Sequence, residues 1–252
     1  GKPIANHAGV DPRYGHHNDE NVVAFRPWPG VSKATYVNVD TTNRHGILRA
    51  ERLGLVTSGV ADMIVTSDLT FAIEHLYDES YKGRVLALFR HPIDRLVSRF
   101  YYLQKATWEK QYRPQWKNIN VLEFAKKRNS DNNHIVKKMA GLGVNQTATD
   151  DDLRMAMRTI RKRFVVGIMD QMEESIHRFN IVMGINEADE NTHQCMDHFF
   201  HHSLGAKKHN SHAHPRVNQG SPIWNALAKR NALDIRLYDF ILQLFDEQRE
   251  TI

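Results

Sequence analysis

An arginine that ends an apolar run, with a serine two helical turns later, is the most informative chemical pattern in this chain. Residues 84–104 read RVLALFRHPIDRLVSRFYYLQ. The unbroken apolar run Val85–Phe89 predicts a parallel strand buried on both faces. Pro92 suits the first turn of a helix. Arg90 would then lie at the carboxyl end of a strand, where ligands of open α/β sheets bind.

Arg90 and Ser98 could together hold a phosphate group. The guanidinium offers a charge-assisted fork, the hydroxyl offers a further donor, and the start of the helix adds partial positive charge. The alternative is a strand–helix corner in which the arginine pairs with a carboxylate. We expect a phosphate site.

The segment resembles the 3′-phosphate-binding motif of sulfotransferases that use 3′-phosphoadenosine 5′-phosphosulfate (PAPS). The branches it resembles most are the heparan and dermatan sulfate 2-O-sulfotransferases and an algal branch of that superfamily. The residues that match the family order are Arg90, Pro92, Asp94, Arg95, Ser98, Tyr101 and Tyr102. The resemblance implies that Arg90, Ser98 and Arg95 bind the PAPS cofactor. It also implies an α/β fold, in which helices flank a sulfotransferase-like (P-loop-kinase-like) parallel sheet.

Two later segments continue the resemblance. Residues 161–179 resemble a strand that ends in Val-Gly, with Gly167 at a close approach, and an acidic helix that starts near Glu173 and Glu174. Residues 205–212 lie where the family has a basic loop that closes over the nucleotide. Lys207, Lys208 and Ser211 are the cofactor-binding candidates there, although a basic loop is also typical of a solvated surface. We expect residues 35–252 to form the sulfotransferase-like domain and residues 1–34 to be irregular.

The family's other cofactor element is missing from the sequence. A Lys-x-Gly-x-[Ser/Thr] loop should cradle the 5′-phosphosulfate, and its lysine stabilises the leaving oxygen. The nearest segment, residues 27–33, has a different residue order, and its prolines interrupt the amide donors of a phosphate nest. Either the protein extends beyond Gly1, or this homologue has lost half of its cofactor site.

No catalytic residue can be assigned from the sequence. The family's base is a histidine on the strand before the 3′-phosphate strand, and the corresponding residues 62–68 contain none. Asp68 or Asp62 could replace it, but an ordinary aspartate is a weak base at neutral pH. We expect His45 and His75 to be surface helix residues.

Composition is typical of a globular protein and suggests a polyanionic partner. The chain has 252 residues, 41% of them hydrophobic, and a net charge of +5. Its basic clusters lie in helix-like segments without stacking aromatics, so a nucleic-acid partner is not expected. We expect no transmembrane segment because no apolar run reaches the roughly 18 to 20 residues of a span.

Cysteine and histidine usage bears on compartment and metal binding. Cys195 is the single cysteine, which favours a reducing compartment such as an organelle, whereas the resemblance implies the Golgi lumen. Histidines and this cysteine cluster at positions 193–202, but their spacing matches no closed zinc pattern. We expect a surface helix there and no metal.

Periodicity predicts the remaining elements of the fold. Strands are expected at 36–39, 63–66 and 164–168, of which 63–66 should be buried. Helices are expected at 46–55, 69–81, 94–104 and 153–163. The apolar spacing of residues 224–247 predicts one long amphipathic helix.

Two functions therefore remain open. The first is an enzyme that transfers a sulfuryl group from PAPS to a hydroxyl of a glycan or small metabolite, provided that a phosphate loop exists upstream. The second is a catalytically inactive sulfotransferase-fold protein that serves as an accessory or structural subunit of a larger assembly, such as an organellar membrane complex. The Arg90–Ser98 pair favours the enzyme, and the missing loop and base favour the subunit.

Overall fold

The computed structural model describes residues 4–5, 21–25, 36–109, 111–126, 132–200 and 215–252. The protein is mixed α/β and mostly helical. Its chain divides into two compact units, Gly1–Val85 and Leu86–Ile252.

Short strands and many helices alternate along the described chain. The strands are β1 (Ile4–Ala5), β2 (Ala24–Phe25), β3 (Tyr36–Val37), β4 (Met63–Ile64), β5 (Val85–Phe89) and β6 (Phe164–Ile168). The first six helices are α1 (Arg44–Arg52), α2 (Leu55–Ser58), α3 (Leu69–Leu76), α4 (Pro92–Leu103), α5 (Val121–Lys126) and α6 (His134–Met139). The others are α7 (Asp150–Arg163), α8 (Met172–Met183), α9 (Glu190–Asp197), α10 (Pro222–Arg230) and α11 (Ala232–Arg249).

The first unit contains a four-stranded sheet with the strand order β2-β3-β1-β4. β1 runs parallel to β3 and β4, whereas β2 is antiparallel to β3. The core of this unit is formed by apolar side chains of β3, the three helices and the residues between them. Its buried members are Val37, Val39, Ile47, Ala50, Leu55, Ala72 and Leu76.

A tight turn leads from β3 into α1. The side chain of Asn43 accepts a hydrogen bond from the Gly46 amide at 2.9 Å, so Asn43 caps the helix. A Cβ atom on Gly46 would lie 1.6 Å from the Asp40 carbonyl oxygen. Only glycine therefore allows the turn to fold back on the first turn of α1.

The prediction of a buried strand at 63–66 is wrong in its burial. β4 is an edge strand of the sheet, and the Met63 side chain is 44% exposed. An edge strand has a neighbour on one side only, so apolar composition alone does not bury it.

The second unit is built around β5 and β6, which pair in a small two-stranded parallel sheet. The predicted strands 85–89 and 164–168 match β5 and β6 in their bounds. Helices α7, α8 and α11 pack on β6, and all five of its residues are buried. A Cβ on Gly167 would lie 2.8 Å from side-chain atoms of Leu88 and Phe179, so the predicted close approach is confirmed.

The prediction that β5 is buried on both faces is wrong. Leu88 is 41% exposed, and only Phe89 of the five residues is buried. Among the described residues, no helix packs on β5 as extensively as three helices pack on β6. The apolar run thus predicted the strand correctly but did not predict how well other elements bury it.

The single helix predicted at 224–247 is two helices, α10 and α11, which meet at Asn231. Asn231 is fully buried. Its side chain accepts a hydrogen bond from the amide of Asn133 at 3.0 Å and donates one to the carbonyl of Leu227 at 2.8 Å. The partner Asn133 lies 98 residues earlier in the chain, so helical periodicity could not reveal the break.

Asp234 reinforces this junction from the first turn of α11. Its carboxylate is 1% exposed and accepts hydrogen bonds from the amides of Ile135 and Val136 at 3.0 and 2.9 Å. Those amides belong to the first turn of α6, which otherwise lacks acceptors. The two helix starts therefore cap each other.

Candidate functional site

Arg90 is the residue that immediately follows β5, as the sequence predicted. The connection to α4 consists of Arg90 and His91, and Pro92 occupies the first helical position. The Arg90 side chain is half-buried. It makes no hydrogen bond or ion pair with any residue in the described ranges. The alternative of a corner arginine paired with a carboxylate is thus not observed in this part of the chain.

Ser98 lies on the half-exposed face of α4. Ile93, Leu96, Val97 and Phe100 form the buried stripe of the helix, whereas Asp94, Arg95 and Ser98 lie outside it and are half-buried. Because Asp94 and Ser98 are four residues apart, they are neighbours on successive turns. The Ser98 hydroxyl makes no hydrogen bond to the described residues. Ser98 and Asp94 therefore lie on one half-exposed face of α4.

Ser98 is not at the very start of the helix. It lies six residues after Pro92, which corresponds to a rise of about 9 Å along the axis. A phosphate that bridged Arg90 and Ser98 would contact the side of α4 rather than its terminal amides alone. Arg90 and Arg95 contribute positive charge at this face, and Asp94 contributes negative charge.

The structure also brings a buried tyrosine to the end of β5. The ring of Tyr238, on α11, meets the ring of His91 edge-on at a centroid distance of 5.4 Å. Three factors raise the pKa of Tyr238 to about 12. Burial has the largest effect, followed by the charge of Asp170 and then by that of Asp94. Each of these factors disfavours the phenolate. The hydroxyl is therefore a proton donor at any physiological pH.

Asp170 is the second residue after β6, close to the position that Arg90 occupies as the first residue after β5. It lies in the short 3-10 turn Met169–Gln171 that follows β6, and it is exposed. Because parallel strands end at the same edge of a sheet, side chains that follow β5 and β6 lie at one edge. This edge thus carries Arg90 and His91 on one strand and Asp170 on the other.

A cleft of about 830 Å³ opens beside this edge, along α8 and α9. Among the described residues, five carboxylates line it, whereas no lysine or arginine does. The remaining lining residues are histidines, a glutamine and apolar side chains. The described residues that line it are Asp170, Gln171, Met172, Glu173, Glu174, His177, Glu187, His193, Met196, Asp197 and Phe200.

One histidine of the cleft is held by a hydrogen-bond chain. His177 Nδ1 lies 2.7 Å from Glu187 Oε2. The other oxygen of Glu187 accepts a hydrogen bond from Asn180 Nδ2 at 2.8 Å. These hydrogen bonds, with Asn180 the stronger influence, lower the pKa of Glu187. The ring of His177 is consequently oriented, and its Nε2 is left for a ligand.

The other predicted residues do not join these groups. Lys207, Lys208 and Ser211 lie outside the described residues. Asp68 pairs with Arg44 at 2.7 Å, within the first unit. His45 is exposed on α1, which confirms its prediction as a surface helix residue. His75 lies on α3, half-buried, at 2.9 Å from Glu51.

Neither a metal centre nor a membrane span is found in the described ranges. No group of three or more His, Cys, Asp or Glu side chains there converges to hold a metal ion. No helix there has both the length and the apolar content that a membrane crossing requires. The helix α9 carries His193 and Cys195 on its exposed surface.

Sequence reasoning missed Asp170, Tyr238 and the cleft. Asp170 follows a strand closely, as Arg90 does, and this position alone could have drawn attention to it. Tyr238 had no such signal, because a tyrosine in an amphipathic helix is typical of a core residue. The cleft depends on how α9 packs against α8, which local sequence does not encode.

Comparisons with protein-family models, with curated proteins and with solved structures find no match to this chain.

Proposed function

We propose that this chain is a sulfotransferase-family protein and that Arg90 and Ser98 bind the 3′-phosphate of PAPS. The single observation that supports this most is the half-buried Arg90, which has no partner among the described residues. A half-buried arginine normally needs an acceptor, because desolvated charge is costly without one. A phosphate would supply it, and the Ser98 hydroxyl, on the half-exposed face of α4, would add a donor.

The resemblance gives this ligand its identity, and the fold supports the placement. A parallel strand leads through two residues into a helix that begins with proline. Tyr238 remains protonated and lies against His91, so it can donate a hydrogen bond near the strand end. Transfer to an acceptor hydroxyl would occur in line, driven by positioning and positive charge.

Calorimetry with 3′-phosphoadenosine 5′-phosphate tests the proposal directly. Adenosine 5′-phosphate, which lacks the 3′-phosphate, is the matched ligand control. We expect the first nucleotide to bind with a Kd of about micromolar and the second much more weakly. Arg90→Ala should weaken binding by about tenfold to a hundredfold, because charge-assisted hydrogen bonds contribute roughly 1.5–3 kcal/mol.

Arg99→Ala is the matched protein control. It removes the same charge from α4, the helix that follows Arg90, but Arg99 already bonds Gln111 at 2.5 Å. The site is supported if Arg99→Ala leaves the affinity unchanged and Arg90→Ala weakens it as expected. Equal affinity for both nucleotides, or equal losses in both variants, would refute it.

The second candidate is an inactive sulfotransferase-fold subunit. The sequence contains no Lys-x-Gly-x-[Ser/Thr] loop, and the cleft beside the sheet edge is lined by carboxylates that repel a sulfonucleotide. If the nucleotide binds and PAPS is not turned over by any hydroxyl acceptor, this second function is favoured. A measurable release of 3′-phosphoadenosine 5′-phosphate from PAPS would favour the enzyme.

A further inference from the structure

We propose that the cleft along α8 and α9 is a second binding site, for a small cationic amine such as a polyamine. The proposal is independent of the nucleotide site. It is based on three observations: the size of the cleft, its oriented histidine and the composition of its walls.

The cleft has the dimensions of a small-molecule site. Its volume of about 830 Å³ falls within the roughly 300–1,000 Å³ typical of such sites. Met172, Met196 and Phe200 provide apolar walls, against which the methylene groups of an alkyl amine can pack. Thioether and aromatic surfaces also tolerate a neighbouring cation.

The polar groups of the cleft select positive charge. Glu173 is exposed, and Asp170 is exposed at the end of β6. The buried Arg178 partly neutralises the charge of Glu174, because its Nε lies 2.8 Å from Glu174 Oε1. With Glu187 and Asp197 also in the lining, an ammonium group would find carboxylates on several sides.

The His177–Glu187 pair supplies a directed acceptor. Since Nδ1 faces Glu187 at 2.7 Å, a neutral ring exposes the lone pair of Nε2, which accepts a hydrogen bond. Asn180, which is 5% exposed, fixes Glu187 from the protein interior. A preorganised acceptor of this kind binds an N–H donor at a small entropic cost.

An ammonium group fits the cleft better than a metal ion does. No three ligating side chains converge on one point in the described part of the chain, so the carboxylates are too dispersed for a metal shell. Dispersed carboxylates suit an extended molecule with several amino groups. The same charge excludes nucleotides, which keeps the cleft distinct from the Arg90 site.

Calorimetry with spermidine as the probe tests this proposal. We expect saturable binding, and a loss of about tenfold to a hundredfold in the double variant Asp170→Asn/Glu173→Gln. Both side chains are exposed, so the variant should fold, which circular dichroism would verify. Glu190→Gln is the matched control because it removes a charge from α9 outside the cleft lining.

A histidine resonance locates the probe. The Nε2 signal of His177, assigned with His177→Gln, should shift with spermidine and stay in place with triethylene glycol, a neutral chain of similar length. Saturable binding that depends on Asp170 and Glu173 and shifts His177 supports the site. Absence of saturable heat, equal binding of the glycol, or an equal loss in Glu190→Gln would overturn it.

Discussion

The two strand–helix pairs of the second unit have strands and helices of the same length, but the residues that follow their strands differ in charge. Each consists of a five-residue strand and a twelve-residue helix: β5 with α4, and β6 with α8. Arg90 directly follows β5, whereas Asp170, Glu173 and Glu174 follow β6. One local architecture thus carries an arginine after one strand and carboxylates after the other.

A serine in each helix shows what distinguishes the two connections. Ser175 is fully buried. Its Oγ accepts a hydrogen bond from the Ile168 amide at 2.8 Å and donates one to the Gln171 carbonyl at 2.7 Å. Ser98 is half-buried and makes no such bond to described residues. Ser175 of β6–α8 is thus used in folding, whereas Ser98 of β5–α4 makes no hydrogen bond within the described part of the chain.

The largest expected contrast is in strand burial. Ile168→Ala should lower the free energy of unfolding by about 2–5 kcal/mol, because Ile168 lies in the fully buried β6. Leu88→Ala should lower it by less, because Leu88 is 41% exposed. Urea denaturation of both variants measures the difference. Equal losses would show that β5 is as well covered as β6.

The serine comparison gives the next largest effect. Ser175→Ala should lower the free energy of unfolding by about 1–3 kcal/mol, because it leaves the buried Ile168 amide without its acceptor. Ser98→Ala should leave stability within about 0.5 kcal/mol and weaken binding of 3′-phosphoadenosine 5′-phosphate. Thermal denaturation and calorimetry on both variants provide the test. A stability loss in Ser98→Ala would give that serine a structural role.

The acidic connection should also show a specific pH dependence. Hydrogen bonds from Asn180 and His177 lower the pKa of Glu187 below its usual value of 4.5. A lowered pKa means that the native state favours the carboxylate, so its stabilisation is present above pH 4.5 and is lost as the pH falls through the folded pKa. Glu187→Gln should flatten the stability profile in that acidic window. Parallel profiles for the two proteins would contradict this.

The smallest expected effect is on the pKa of Tyr238, which depends on one aspartate from each connection. Asp170 and Asp94 both raise the pKa of this phenol, and Asp170 does so more strongly. Asp170→Asn should therefore lower the pKa of Tyr238 from about 12 by more than Asp94→Asn does. Absorbance titration of tyrosinate, with Tyr238→Phe subtracted from the eight tyrosines, measures both shifts. The reverse order would place Asp94 nearer the hydroxyl.

Local sequence predicted the elements that define the Arg90 site. An apolar run, a proline at the first helical position and an amphipathic stripe are nearest-neighbour signals, and they gave β5, β6 and the start of α4. Capping was equally local: Thr149 and Asp152 exchange the hydrogen bonds of a capping box at α7. The phosphate-binding role of Arg90 and Ser98 stays a prediction.

The sequence by itself determined the bounds of β5 and β6 and the proline that begins α4, because those properties depend on neighbours a few positions away. Tertiary structure alone decided that Asn231 divides a long helix, that β5 is less covered than β6, and that acidic residues of α8 and α9 line one cleft. Each of these depends on contacts between distant segments, such as Asn231 with Asn133. Burial and charge at a site are properties of packed surfaces, so they appear only once the chain is folded.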